Sequence, residues 1–305
     1  MRILSGNILC SEDKGKNFLE FEEKLYSIEP LVSMDDIEGG KGGNSNVFKL
    51  IDPDDSDDIY GILKFCKYHI DTDDETEKVR LERFKNEIRA LKKAKDAGSD
   101  DIIEIRFNDA KEIEGQDYLY YVMEKGDSDM LDYMKDNQID VQQKFVLCID
   151  VMNGINQLHS LGIYHRDIKP DNIFFINNRP KIGDLGLIDY RDQDQNIDVV
   201  REKIGPSGWL SPEAVNKMLC EGTTFEDVHC CKIKEYSDVF QLAKLIWYIF
   251  EGTAPVGQVS LEDFKLDNPT IYETLMGMLQ YSKEKRPKLD DVIPIFTNEA
   301  HSYRA

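Results

Sequence analysis

Hydrophobic and polar positions divide this chain into a strand-rich first part and a helix-rich remainder. Phe18-Leu19-Glu20-Phe21 alternates apolar and polar side chains, the period of a half-buried strand, and Pro30 closes that stretch. Tyr60-Gly61-Ile62-Leu63-Lys64-Phe65 predicts a strand, with Asp52-Pro53-Asp54-Asp55-Ser56-Asp57-Asp58 as an exposed turn joining it to the strand before. From about Glu77 to Ala97 the pattern turns helical: Phe84, Ile88 and Leu91 recur at helical spacing, and Gly98 supplies a stop. Ile102-Ile103-Glu104-Ile105 and Tyr118-Leu119-Tyr120-Tyr121-Val122-Met123 read as two further strands. Beyond them helix dominates, with Phe145, Ile149, Met152, Ile155 and Leu158 on one face running into His159.

Composition narrows the picture. The chain has 305 residues, 41% hydrophobic and 10% aromatic, enough to bury a core; one domain of two lobes and two small domains are both compatible with that length. Its formal charge of −21 and pI near 4.7 disfavour nucleic acid and anionic membranes as partners and favour a basic one, although the same charge also serves solubility. The most apolar run, Leu245-Ile246-Trp247-Tyr248-Ile249-Phe250, is far short of the ~20 residues of a membrane span, and the first residues lack the apolar core of a signal peptide. Six cysteines at irregular spacing fit reduced thiols rather than a zinc site, and a cytoplasmic location is expected. Oligomeric state is left open.

The chemistry concentrates in Tyr164-His165-Arg166-Asp167-Ile168-Lys169-Pro170-Asp171-Asn172, followed by Asp184-Leu185-Gly186. Asp167 can accept the proton of an attacking hydroxyl, Lys169 can neutralise a moving phosphate, and Asn172 with Asp184 can hold magnesium as hard oxygen ligands. This run of His-Arg-Asp-x-Lys-x-x-Asn with a following Asp-x-Gly resembles the eukaryotic-type serine/threonine protein kinase family.

Other segments extend the resemblance over roughly residues 34 to 300. Gly39-Gly40-Lys41-Gly42-Gly43-Asn44-Ser45-Asn46-Val47 is similar to the family's glycine-rich phosphate loop, read from Gly40 through Gly42 to Val47, with Ser45 in place of its third glycine. Gly40, Gly42, Gly43 and Val47 are thereby implied in nucleotide binding. Lys64 matches the phosphate-gripping lysine and Glu87 its helix partner, Glu82 being the alternative. Met123-Glu124-Lys125-Gly126 resembles the hinge that meets adenine, with Met123 as gatekeeper and Asp129, or else Asp127, toward the ribose. Ser211-Pro212-Glu213 with Arg286, and Asp238, match residues that brace the activation segment and the catalytic loop.

The resemblance implies an α+β, bilobal fold: a small antiparallel five-stranded N-lobe with one key helix (34–123), a hinge (124–129) and a larger, mainly helical C-lobe (130–300). Residues 1–33 form an extension and 301–305 a short tail. It implies transfer of the γ-phosphoryl of ATP, with magnesium, to a protein hydroxyl. Asp167, Lys169, Lys64 and Glu87 are the catalytic candidates, and Asp171 favours basic residues near the target. Leu185 to Pro206 holds no serine or threonine and Tyr190 is its only hydroxyl, so Asp192, Asp194 or Asp198 is expected to replace an activating phosphate beside Arg166, with Ser207 as the competing phosphorylation site. The departures at Ser45, Ile62 and Pro206 keep a nucleotide-binding pseudokinase or scaffold in view, and a small-molecule kinase of related fold is the third reading.

Overall fold

The computed structural model describes residues 1–31, 44–54, 59–192 and 197–303. Gly40, Gly42 and Gly43, the later half of the turn at 52–58, and Asp194 therefore lie outside the described residues. The chain divides into two compact units, one of Met1–Lys95 with Ile103–Lys125 and one of Asp96–Ile102 with Gly126–Ala305.

The first unit opens with a hairpin of β1 (Arg2–Leu4) and β2 (Asn7–Leu9). Next come β3 (Phe18–Phe21), β4 (Lys24–Pro30), β5 (Ser45–Ile51), β6 (Ile59–His69), helix α1 (Glu75–Asp96), β7 (Ile105–Ile113) and β8 (Gln116–Met123). Strands β3 to β8 form one antiparallel sheet in the order β3-β4-β5-β6-β8-β7. Among the described residues the sheet has six strands where five were expected within 34–123, and two of them, β3 and β4, come from the N-terminal segment.

Strand alternation splits the sheet's chemistry. In the register of β5, β6 and β8, Val47, Lys64 and Tyr121 are paired in a row, and so share one face. The intervening positions Phe48, Leu50, Leu63, Phe65, Tyr120 and Val122 point the other way, into a core shared with Ile8, Leu19, Tyr26 and Ile28. Gly61 lets β6 and β8 close up, since a Cβ there would lie 2.6 Å from the Met123 carbonyl oxygen.

The strand expected at Ile102–Ile105 is displaced: β7 begins at Ile105, while Ile102 makes a parallel bridge to Ile182 in the second unit. Ile102 and Ile103 are buried in an irregular connection, so an apolar run stood out where no strand lies. The true strand is at the sheet's edge, keeps polar side chains along much of its length, and gave a weaker signal.

The second unit is mainly helical. It contains β9 (Ser128–Asp129), α2 (Met130–Asp136), α3 (Val141–Ser160), β10 (Ile163–Tyr164), β11 (Ile173–Ile176), β12 (Arg179–Ile182), β13 (Asp189–Tyr190), α4 (Pro212–Cys220), α5 (Glu235–Glu251), α6 (Pro269–Met278) and α7 (Leu289–Ser302). A capping box starts α3: Asp140 accepts from the Gln143 N–H at 2.8 Å and Gln143 accepts from the Asp140 N–H at 2.8 Å. The helix then buries Phe145, Cys148, Met152, Ile155 and Leu158, packing on α5 and α7 through contacts such as Phe145 with Phe250, centroids 5.1 Å apart. This scaffold delivers β10 and the loop after it at a fixed place.

Candidate active site

In the first unit, β6 presents Lys64 to α1, and its ammonium donates to Glu87 Oε1 at 2.8 Å. Both are buried, Lys64 8% and Glu87 2% exposed, so neither charge is tolerable without the other. The Tyr121 hydroxyl donates to the same carboxylate oxygen at 2.9 Å. Phe84, one helical turn before Glu87, packs on the Tyr121 ring at 5.5 Å and fixes the helix's rotation. Glu82, the alternative partner, instead faces Lys85 at 3.5 Å and Arg89 at 3.9 Å on the helix surface. Val47 is half-buried beside Lys64, and Ile62 is paired with Met123. The Glu124 N–H is spent on the Glu104 carbonyl at 3.0 Å.

In the second unit, the loop after β10 carries the other candidates. The Asn172 amide donates to both the carbonyl and Oδ2 of Asp167 at 2.8 Å, and Lys169 Nζ lies 3.8 Å from Oδ2. With its NH₂ so committed, Asn172 has its Oδ1 as the hard donor a divalent cation takes. The Gly183 N–H bonds the Asn172 carbonyl at 2.9 Å, tying Asp184 to the same neighbourhood. Burial pushes the Asp167 carboxyl above its ordinary value; Lys169 opposes the shift and Asp184 adds to it.

The loop is held under strain. Arg166 in this loop sits at φ 66°, and Asp184 in the segment after β12 at 51°, left-handed values uncommon for residues other than glycine. Buried Asp238 on α5 accepts from the N–H groups of His165 at 2.8 Å and Arg166 at 2.7 Å, and His159 Nε2 donates to it at 2.8 Å. Gln241, one turn along α5, accepts from the Ile168 N–H at 2.9 Å and donates to the Arg166 carbonyl at 3.1 Å. The neutral Nε2–H tautomer of His165 satisfies both its contacts, donating to the Gly183 carbonyl and accepting from the Asp167 N–H.

The Arg166 side chain makes a buried bidentate pair with Asp198, at 2.7 and 3.0 Å, and donates to the carbonyls of Leu187 and Ile188. Of the three aspartates proposed for that place, Asp192 is exposed and Asp198 fills it. Glu213 and Arg286 form a second bidentate pair at 2.8 and 3.1 Å, which Ser237 joins through Glu213.

Two sequence candidates have local duties. Asp129 caps α2 by accepting from the Asp132 N–H at 2.9 Å, and Asp127 accepts from the Asn177 N–H at 2.9 Å. Gly126 packs its backbone on Phe174, and Asp171 is exposed. Tyr121 and Gln241 did not stand out in the sequence: one is a tyrosine within an aromatic-rich strand, the other a glutamine on an otherwise apolar helix stretch.

Comparison with known proteins finds a match to the model of the protein kinase domain over residues 36–298. Among curated proteins the chain is 28% identical, over 73% of its length, to the serine/threonine-protein kinase mph1 of Schizosaccharomyces pombe, covering 31% of that protein. It is 26% identical, over 78% of its length, to the dual specificity protein kinase TTK of Mus musculus, covering 26% of it. It is 25% identical, over 69% of its length, to the serine/threonine-protein kinase stk11 of Xenopus laevis, covering 52% of it. The chain thus spans a third or less of the first two relatives and about half of the third.

Proposed function

This chain belongs to the protein kinase family, and on that premise we propose that it transfers the γ-phosphoryl group of ATP, with magnesium, to serine or threonine hydroxyls of proteins. The observation that carries the proposal is the Asp167–Asn172–Lys169 cluster on a strained loop braced by Asp238 and Gln241. A chain used only as a scaffold has no need to hold a buried carboxylate in that environment. Lys64, oriented by Glu87, would grip the nucleotide phosphates, and Val47 and Met123 would lie against the base. Asn172 and Asp184 would hold magnesium, which when bound supplies charge neutralisation on those phosphates.

The remaining work falls to this chain's own side chains. Asp167 accepts a hydrogen bond from the acceptor hydroxyl, orienting its oxygen, and takes up the proton as that oxygen bonds to the γ-phosphorus and the bond to the β–γ bridging oxygen breaks, with ADP leaving. Lys169, 3.8 Å from that carboxylate, offsets negative charge beside it, and its presence supports serine/threonine preference. The Arg166–Asp198 pair supports a kinase that needs no phosphate on residues 185–206, where Tyr190, the one hydroxyl, is buried. Protein substrates with basic residues and a cytoplasmic location remain part of this proposal, the first from the acidic surface and exposed Asp171. Incubation with labelled ATP, magnesium and a serine/threonine peptide set tests it. Transfer by the parent and not by Asp167→Asn is the expected result, and nucleotide binding without transfer under any condition would favour the pseudokinase.

A further inference from the structure

Residues 1–17 precede the span that matches the family, yet they pack onto the sheet that carries Lys64. The β1–β2 hairpin turns through Ser5 and Gly6, both left-handed at φ 49° and 74°, and packs β2 on β5 and β6. Ile8 and Leu9 are buried there, Ile8 in the core with Phe48 and Phe65. Two asparagines fasten the segment. Asn46 of β5, 5% exposed, accepts from the Ile8 N–H at 3.0 Å and donates to Asn7 Oδ1 at 3.3 Å. Asn17, also buried, closes a ring with Ser11 through two bonds of 2.7 and 2.8 Å, and its carbonyl accepts from the Ile28 N–H of β4 at 2.8 Å. The segment therefore grips β4 and β5, the two strands that flank residues 32–43 in the chain.

The register gives this grip a direction. Asn46 is paired with Phe65 on the core face, and the next pair, Val47 with Lys64, projects from the opposite face. A displacement of β5 at Asn46 is carried by the backbone to Val47 and across the ladder to Lys64 within one residue. Without Asn46 the Ile8 N–H is left buried with no acceptor, a cost met by moving the hairpin or the strand. We infer that Asn46 is a positioning residue: through the N-terminal hairpin it holds β5 so that Val47 and Lys64 keep the geometry that nucleotide binding requires. This rests on the reading of those two residues as nucleotide contacts.

The test compares the full chain with Asn46→Ala, Asn46→Asp and, as a stability control, Leu19→Ala in the same core. Magnesium ADP affinity is measured by calorimetry, KM for ATP and kcat by peptide phosphorylation, and Tm by thermal melt. Asn46→Ala should raise the ADP Kd and the ATP KM about fivefold with kcat within about twofold, the pattern of lost ground-state binding. Asn46→Asp keeps the acceptor for the Ile8 N–H but adds a buried charge, so it should recover part of the affinity while lowering Tm. Leu19→Ala should lower Tm without the affinity change. Equal affinity losses in Asn46→Ala and Leu19→Ala, or none in Asn46→Ala, would overturn the inference. Should Asn46→Ala fail to fold, Asn7→Ala removes one bond alone and should raise the ADP Kd about twofold; an unchanged Kd counts against it. A parent that binds no ADP would overturn the reading of the site, and this inference with it.

Discussion

At Asp167 the environment makes a carboxylate more expensive to ionise than in the unfolded chain, and both activity and stability should register it. Its pKa is raised chiefly by burial, so the acid limb of kcat/KM should lie above the ordinary carboxylate value of about 4. The stability effect has the matching sign. Below about pH 4 the carboxyl is protonated in both states and costs nothing; as pH rises through the higher folded value the charged form appears and destabilises the fold. Asp167→Asn should therefore abolish phosphoryl transfer while melting no lower than the parent at pH 7, with the difference shrinking toward pH 4. A second residue-scale prediction concerns Asp198. Asp198→Ala strands a buried guanidinium and should cost about 3 kcal/mol in denaturant unfolding together with most of the activity. Phosphatase treatment of the parent, checked by intact mass, should change nothing. A large loss would shift weight to Ser207, which is exposed and accepts from Lys203. Asp167, Lys169, Asn172 and Asp184 stood out in the sequence because they fall close together in one short stretch, whereas Lys64 and Glu87 were picked out only through the family resemblance. Tyr121 and Gln241 were not, since their hydrogen bonds join residues 34 and 73 positions apart and only the fold brings them together.

Among the elements, those with strong periodicity were read with their correct type, as α1 and α3 illustrate: the apolar faces of both helices become core. The edge strand β7 was misplaced because a strand with one face in water requires little apolar sequence. The N-terminal segment, of which only Phe18–Phe21 gave a strand pattern, proved to supply β1 to β4. Its short strands rely on pairing and on the Asn17 and Asn46 bonds, neither of which leaves a periodic trace. Element packing also predicts which glycine is intolerant of change. A Cβ at Gly61 would meet the Met123 carbonyl at 2.6 Å and Val122 Cγ1 at 2.9 Å, backbone and core atoms with little freedom to yield. Gly61→Ala should cost about 1–3 kcal/mol in chemical denaturation, and by moving Met123 should also weaken nucleotide binding. Gly115, at the β7–β8 turn with φ 82° and nothing within 4 Å, should lose stability only through backbone strain, by about 1 kcal/mol, and leave nucleotide affinity unchanged.

For the molecule as a whole, the formal charge of −21 bears on what approaches it rather than on how it folds. Acceptor peptides carrying arginine or lysine near the serine should be phosphorylated with a lower KM than acidic ones, and the advantage should fade as salt shortens the Debye length below about 10 Å. Asp171→Ala should reduce that preference without altering kcat for a neutral peptide; unchanged peptide selectivity would count against the assignment. The family match covers most of this chain, whereas the chain covers 31% and 26% of two curated relatives, so what those longer proteins do is no guide to substrates here. On the proposed function, Lys64 with Glu87, and Asp167 with Asn172 and Asp184, serve phosphoryl transfer to protein. The most direct measurement is transfer of label from γ-labelled ATP, with magnesium, to a serine/threonine peptide set by the parent, beside Asp167→Asn and Lys64→Met. Label on peptide with the parent alone is the predicted result. Transfer undiminished in Asp167→Asn, or label found on small molecules and never on protein, would contradict it.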